Sequence, residues 1–214
     1  MKSICIDRQW TFRRGLLDSP MILKNDPGTP VDLPHDGMIG TPVSPDAPAG
    51  SDMGYFTGGL SSYTKMVFIP QEWQGGCVAL QFDGAMMNAT VEVNGSLAAL
   101  QHYGYAPFET DITRLVYPGA KNRIYITVNP SMQPNSRWYS GAGLFRGVEI
   151  GHMPALRVAF GGLWGCTRKI EYSESGAPET AYLQVSAEIR NEHAENRLAE
   201  VTFALLEEIG RAHV

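Results

Sequence analysis

Several features that commonly announce a function are scarce or missing from this sequence. Cysteine is rare: Cys5, Cys77 and Cys166 are an odd number at wide, unpatterned spacings. That is not a disulfide framework, and it reads as reduced thiols in a cytoplasmic protein. Basic residues are outnumbered, 17 against 22 acidic, for a formal charge of −5. Nucleic acid and anionic membranes both demand a concentrated basic face, so neither is expected as a partner. No apolar run approaches the roughly 18 residues of a membrane span, and Met1–Asp7 lacks the apolar stretch of a secretory signal. Without such a signal, the sequons Asn88-Ala89-Thr90 and Asn94-Gly95-Ser96 read as chance matches. His102, His152, His193 and His213 are scattered, with no cysteine or carboxylate at ligand spacing, so no metal is expected. No phosphate-cradling glycine loop joins a strand to a helix, no Ser-His-Asp arrangement can be argued, and no cofactor is expected.

What remains is an ordinary globular composition, 43% hydrophobic and 18% charged over 214 residues. The densest stretch is Ser136–Val148, where Arg137, Trp138, Tyr139 and Arg146 stand among Gly141, Gly143 and Gly147. Glycines at this density let the backbone turn sharply or pass close to another surface. The stretch reads either as a packed aromatic corner with structural arginines or as a way to present a guanidinium and a ring to a ligand.

Around it the pattern is that of strands. Trp10 and Phe12 alternate with polar neighbours. From Asp26 to Gly59 the chain carries Pro27, Pro30, Pro34, Pro42, Pro45 and Pro48, which predict a long ordered loop. Within that loop Leu33-Pro34-His35-Asp36-Gly37 mixes ionisable groups with turn formers and makes a reasonable site wall. Strands follow over Ser62–Pro70, Val78–Phe82, Ala89–Val93 and Leu97–Leu100, with the Asn94-Gly95 hairpin signal between the last two. Phe108–Thr113, Ile124–Val128 and Val148–Ile150 complete the set, and Met153-Pro154 marks a boundary. With no convincing helix, these strands predict an all-β fold, an antiparallel jelly-roll β-sandwich over residues 1–153. Residues 154–214 hold a second pattern, an alternating strand at Leu183–Ile189 and another at Val201–Leu205, the latter also readable within a short helix over Leu198–Glu208. An immunoglobulin-type sandwich needs about 100 residues, so this second domain is expected to be incomplete.

Leu33-Pro34-His35-Asp36, Phe82-Asp83-Gly84, Val91-Glu92-Val93-Asn94-Gly95, Phe108–Thr113 and Ser136–Arg146 stand in an order that resembles glycoside hydrolase family 2. They are similar to its amino-terminal sugar-binding jelly roll, and the region after Pro154 is similar to part of its immunoglobulin-like domain. The Arg-Trp-Tyr form at Arg137–Tyr139 looks like the β-galactosidase branch, whereas the Phe-Phe-Asn-Tyr-Ala-Gly form of the β-glucuronidase branch is absent. The resemblance implies a retaining glycosidase, whose two catalytic glutamates lie on a (β/α)8 barrel of about 250 residues. This chain contains no such barrel, and no catalytic residue is assigned to it. Glu207 and Glu208 are adjacent but read as a solvated turn.

The resemblance implies that the first domain contributes to a sugar subsite for a β-galactoside or related carbohydrate, beside the catalytic barrel of the whole protein. By the motif match Arg137 is the leading substrate contact, with a structural ion pair as the competing reading. Trp138 can pack on the C–H face of a sugar, although with Tyr139 it also reads as core. His35 and Asp36 complete the candidates, an aspartate after Pro-His also being a turn cap. Arg146 reads as structural. A homo-oligomer remains open. The alternative function is a free-standing carbohydrate-binding module, since jelly rolls commonly bind sugars through exposed aromatics.

Overall fold

The computed structural model describes residues 2–15, 27–132 and 136–205. Glu207, Glu208 and His213 lie outside these. The chain divides into two compact units, Met1–Pro154 and Ala155–Val214. No helix among the described residues is long and apolar enough to cross a membrane.

The described residues of the first unit form ten strands: β1 (Lys2–Cys5), β2 (Trp10–Arg14), β3 (Thr29–Val31), β4 (Ser61–Ile69), β5 (Cys77–Phe82), β6 (Ala89–Val93), β7 (Ser96–Gln101), β8 (Phe108–Asp111), β9 (Ala120–Val128) and β10 (Val148–Met153). They form two antiparallel sheets, one ordered β1-β10-β5-β8 and the other β3-β2-β4-β9-β6-β7. Inward-facing residues of both sheets meet in one core. Leu80, Phe82, Val148 and Ile150 come from the first sheet, and Trp10, Tyr63, Val91, Ile124 and Ile126 from the second. Each is essentially inaccessible to water, which is why period-2 sequence alternation locates them so well. The fold is the all-β antiparallel sandwich that the strand pattern implies.

Two local departures have simple causes. β5 is buried at four successive positions, Cys77 to Leu80, because its second face also carries an apolar cluster of Cys77, Ala79 and Met153. Within the proline-rich segment, Thr29–Val31 is a strand after all. It sits at the edge of its sheet, pairing only with β2, the one place where Pro30 removes no ladder donor that matters. The Asn94-Gly95 hairpin forms as its sequence requires, with φ of 52° and 85° at the two turn residues. Asn94 Nδ2 donates to Leu115 O and Asn122 Oδ1, both at 2.8 Å, so this sequon nitrogen is built into the fold.

Among the described residues the second unit is a two-stranded ribbon, β11 (Leu156–Tyr172) against β12 (Pro178–Asn191). β12 contains the alternating Leu183–Ile189 run. β11 escapes a pattern reading because its register breaks between Val158 and Leu163, where Gly161 and Gly162 interrupt the alternation. Arg157 closes the ribbon's end with a two-pronged ion pair to Glu192, at 2.8 and 2.9 Å. The strand expected through Val201, Phe203 and Leu205 is a correction. Residues 196–205 make no ladder and no helix. Val201, Phe203 and Leu205 instead line an apolar groove along Val158, Leu163, Leu183 and Val185.

Candidate functional site

The Ser136–Val148 stretch folds as a corner against two other parts of the first unit. Asp36 is its centre. Its Oδ1 accepts from the backbone N–H groups of Met38 (2.8 Å), Ile39 (3.3 Å) and Ala142 (3.1 Å). Its Oδ2 accepts from the Tyr139 hydroxyl at 2.7 Å. One carboxylate therefore caps its own turn and ties residues more than 100 positions away to it. Burial, then the hydrogen bond to Asp36, then the Asp36 charge push the Tyr139 hydroxyl pKa well up, so it stays a donor. Backbone bonds extend the seam: His35 N to Leu144 O at 2.8 Å, Gly37 N to Ala142 O at 2.6 Å, and Met86 and Gly143 in reciprocal exchange at 2.9 and 2.7 Å.

Gly143 is where this seam is tightest. Its φ is +130°, a region that side chains on L-residues avoid. A methyl built there would overlap the Tyr63 hydroxyl and stand 2.8 Å from the carbonyl oxygen of His35.

His35 lies behind the corner rather than at its surface. Its ring centroid is 4.7 Å from that of Phe12 and 5.6 Å from that of Tyr63, and Nδ1 is 2.9 Å from the Tyr63 hydroxyl. Either partner of the His35–Tyr63 bond can be the donor, according to which imidazole nitrogen carries the proton. Burial lowers the His35 pKa; the Asp36 charge opposes this and Arg14 reinforces it. The sign follows: the folded chain binds fewer protons at His35 than the unfolded chain, whose histidine titrates near the ordinary 6.5. The stability that neutral His35 contributes is complete above about pH 6.5 and is lost as the pH falls below it. Melting temperatures measured from pH 7.5 to 5 should fall more steeply for the wild type than for His35→Gln. Parallel slopes would show that His35 does not titrate on unfolding.

On the outer side the corner opens into a cleft of about 300 Å³, lined by Met86, Met87, Tyr103, Gly104, Tyr105, Ser136, Trp138 and Ser140. Trp138 is 61% exposed, which corrects the packed-core reading of this residue. Its indole Nε1–H donates to the Tyr105 hydroxyl at 3.2 Å. Tyr105 is packed in turn against Tyr103 (5.8 Å) and Phe145 (6.2 Å) in edge-on contacts. Arg146 lies over Phe145 at 5.1 Å and donates to the carbonyl oxygens of Asp83 and Tyr105, so it holds the back of the cleft. Arg137 stands exposed between the lining residues Ser136 and Trp138, with no hydrogen-bond or ion-pair partner among the described residues.

Of the four residues singled out from sequence, Arg137 and Trp138 thus stand at an open surface. His35 and Asp36 are committed to internal contacts that shape it. The cleft also rests on Met86, Met87, Tyr103 and Tyr105, which sequence reasoning missed. The aromatic-glycine-aromatic triplet Tyr103-Gly104-Tyr105 was the available signal.

No family model matches the chain. Individual relatives do. A beta-galactosidase of Bacteroides ovatus is 30% identical over 181 residues, 85% of this chain and 21% of that protein. A putative beta-glucuronidase of Formosa agariphila is 30% identical over 120 residues, 56% of this chain and 12% of that protein. Among solved structures, a glycosyl hydrolase family 2 member from Bacteroides cellulosilyticus superposes with a TM-score of 0.70 at 26% identity, covering 87% of this chain and 29% of that one. The chain spans about a fifth of the length of the first of these relatives.

Proposed function

The chain belongs to glycoside hydrolase family 2, and from that premise we propose that it is the amino-terminal, non-catalytic portion of a retaining β-galactosidase. In this reading the first unit is the family's sugar-binding jelly roll and the second is part of an immunoglobulin-like sandwich, with a boundary near residue 154. A catalytic barrel elsewhere in the protein supplies two carboxyl groups about 5–5.5 Å apart. The first unit contributes to the substrate site, with Arg137 donating to glycoside hydroxyls and Trp138 giving a ring contact. His35 and Asp36 position both from behind. The exposed thiols of Cys5 and Cys166 are in keeping with a reducing, cytoplasmic setting.

The observation that carries this reading is the pairing of an exposed guanidinium, partnerless among the described residues, with an aromatic cleft at one glycine-rich corner. The Arg-Trp-Tyr sequence of that corner favours galactosides over glucuronides, although relatives bear both names. In the glycosidase that carries this chain, Arg137→Ala should lower kcat/KM for a β-galactoside by about 10- to 100-fold, the loss of a charged hydrogen bond. Its melting temperature should not move, since the side chain has no partner to lose among the described residues. An unchanged kcat/KM, or turnover of β-glucuronides in preference to β-galactosides, would sink the assignment.

A further inference from the structure

The cleft's walls are ill suited to a sugar ring and well suited to a flat aromatic one. Burying a sugar requires free donors and acceptors for its hydroxyls, since each left unpaired is costly. Among the described residues the lining contains no carboxylate and no amide side chain. Its polar groups are largely engaged within the corner. Ser136 Oγ donates to Trp138 O at 2.5 Å, Ser140 Oγ faces Met53 Sδ at 3.6 Å, and Trp138 Nε1–H is taken by Tyr105. What the cleft does offer is three aromatic rings and two thioethers, from Met86 and Met87, groups that favour ring faces and edges. Its 300 Å³ is ample, given that a cavity of about 150 Å³ holds benzene.

We propose that this cleft receives an aryl aglycone: the protein acts on glycosides of phenols and related aromatic alcohols, with the ring held among Trp138, Tyr105, Tyr103 and the Met86–Met87 pair. The inference rests on the glycosidase reading for the word aglycone, but not for the binding of the ring. Arg137, adjacent to Trp138 in the chain, then addresses the glycoside's hydroxyls while the cleft takes the leaving group.

The test is a titration of the full chain with phenol, phenyl β-D-galactoside and methyl β-D-galactoside, followed by the indole N–H resonances of the tryptophans. The Trp138 signal is identified by its disappearance in Trp138→Ala. Phenol and phenyl galactoside should shift that signal, with dissociation constants in the millimolar range expected of so few contact atoms. Methyl galactoside should leave it in place. Trp138→Ala, and independently Tyr103→Ala at another exposed wall position, should weaken phenyl galactoside binding about tenfold. If methyl galactoside shifts the signal as strongly as the phenyl compound, the cleft takes the sugar and the inference fails while the glycosidase reading stands. If neither aryl compound shifts it, the inference is overturned outright. Failure of the glycosidase reading is seen separately, as absence of glycoside turnover by the whole protein.

Discussion

Gly143→Ala is expected to destabilise the first unit by about 3–5 kcal/mol. Two costs combine. The backbone at φ +130° strains an alanine by about 1–3 kcal/mol. The methyl must also displace the Tyr63 hydroxyl or the His35 carbonyl, and overpacking of that kind costs about 1–3 kcal/mol more. Neither neighbour gives easily. Tyr63 is fully buried and hydrogen-bonded to His35, and the His35 backbone is pinned through its N–H to Leu144 O. Gly40→Ala isolates the backbone share, because Gly40 has φ +80° with nothing within 4 Å of the added methyl. Denaturant unfolding of the two variants should therefore differ by about 1–3 kcal/mol. Equal losses would show that Tyr63 and His35 can yield, and that the seam is looser than its distances indicate.

The second large effect is at Asp36. Asp36→Ala removes one carboxylate and leaves four donors without their acceptor, among them the Tyr139 hydroxyl and the Ala142 N–H. Buried donors left unpaired cost about 1–3 kcal/mol each, and the exposed Ile39 N–H can turn to water, so a loss of about 3–4 kcal/mol is expected. For a unit of this size that is roughly 6–16 °C in melting temperature. Asp36→Asn keeps the shape and an acceptor at Oδ1 while losing the charge, and should cost only about 1 kcal/mol. The consequence reaches the cleft: with Tyr139 and Ala142 released, Trp138 loses the support of its own turn. Ligand affinity should fall in Asp36→Ala even at temperatures where the unit remains folded. Affinity retained at the wild-type level would mean that Trp138 is held by Tyr105 alone.

Those contacts explain what the sequence could and could not reveal. The core was legible because Val78, Leu80, Phe82 and the runs around Val91 and Ile126 follow the strand period, and period 2 is a local property. The turn at Asn94-Gly95 was legible for the same reason. β11 was not, since Gly161, Gly162 and Gly165 break its alternation. The corner was visible as composition, yet its organisation was hidden, because Asp36 and Tyr139 are 103 residues apart. No spacing rule connects them. Trp138 was read as packing because most tryptophans are buried, whereas here the following residues carry the chain inward and leave the indole outside. The cleft was least legible of all, being assembled from three separate segments around Met86, Tyr103 and Trp138.

The pairing of β1 with β10 bears on how such a chain is made. Lys2 lies opposite His152 and Cys5 opposite Glu149, so the first described strand of the unit pairs with its last. β10 also separates β1 from β5, which means that the four-stranded sheet has no centre until it arrives. Closing so long a loop is slow although its entropic cost grows only as the logarithm of length. The six-stranded sheet, complete at Val128, can form earlier and must keep its apolar face covered meanwhile. Any lag between the two sheets is an interval in which apolar surface stands open to wrong partners.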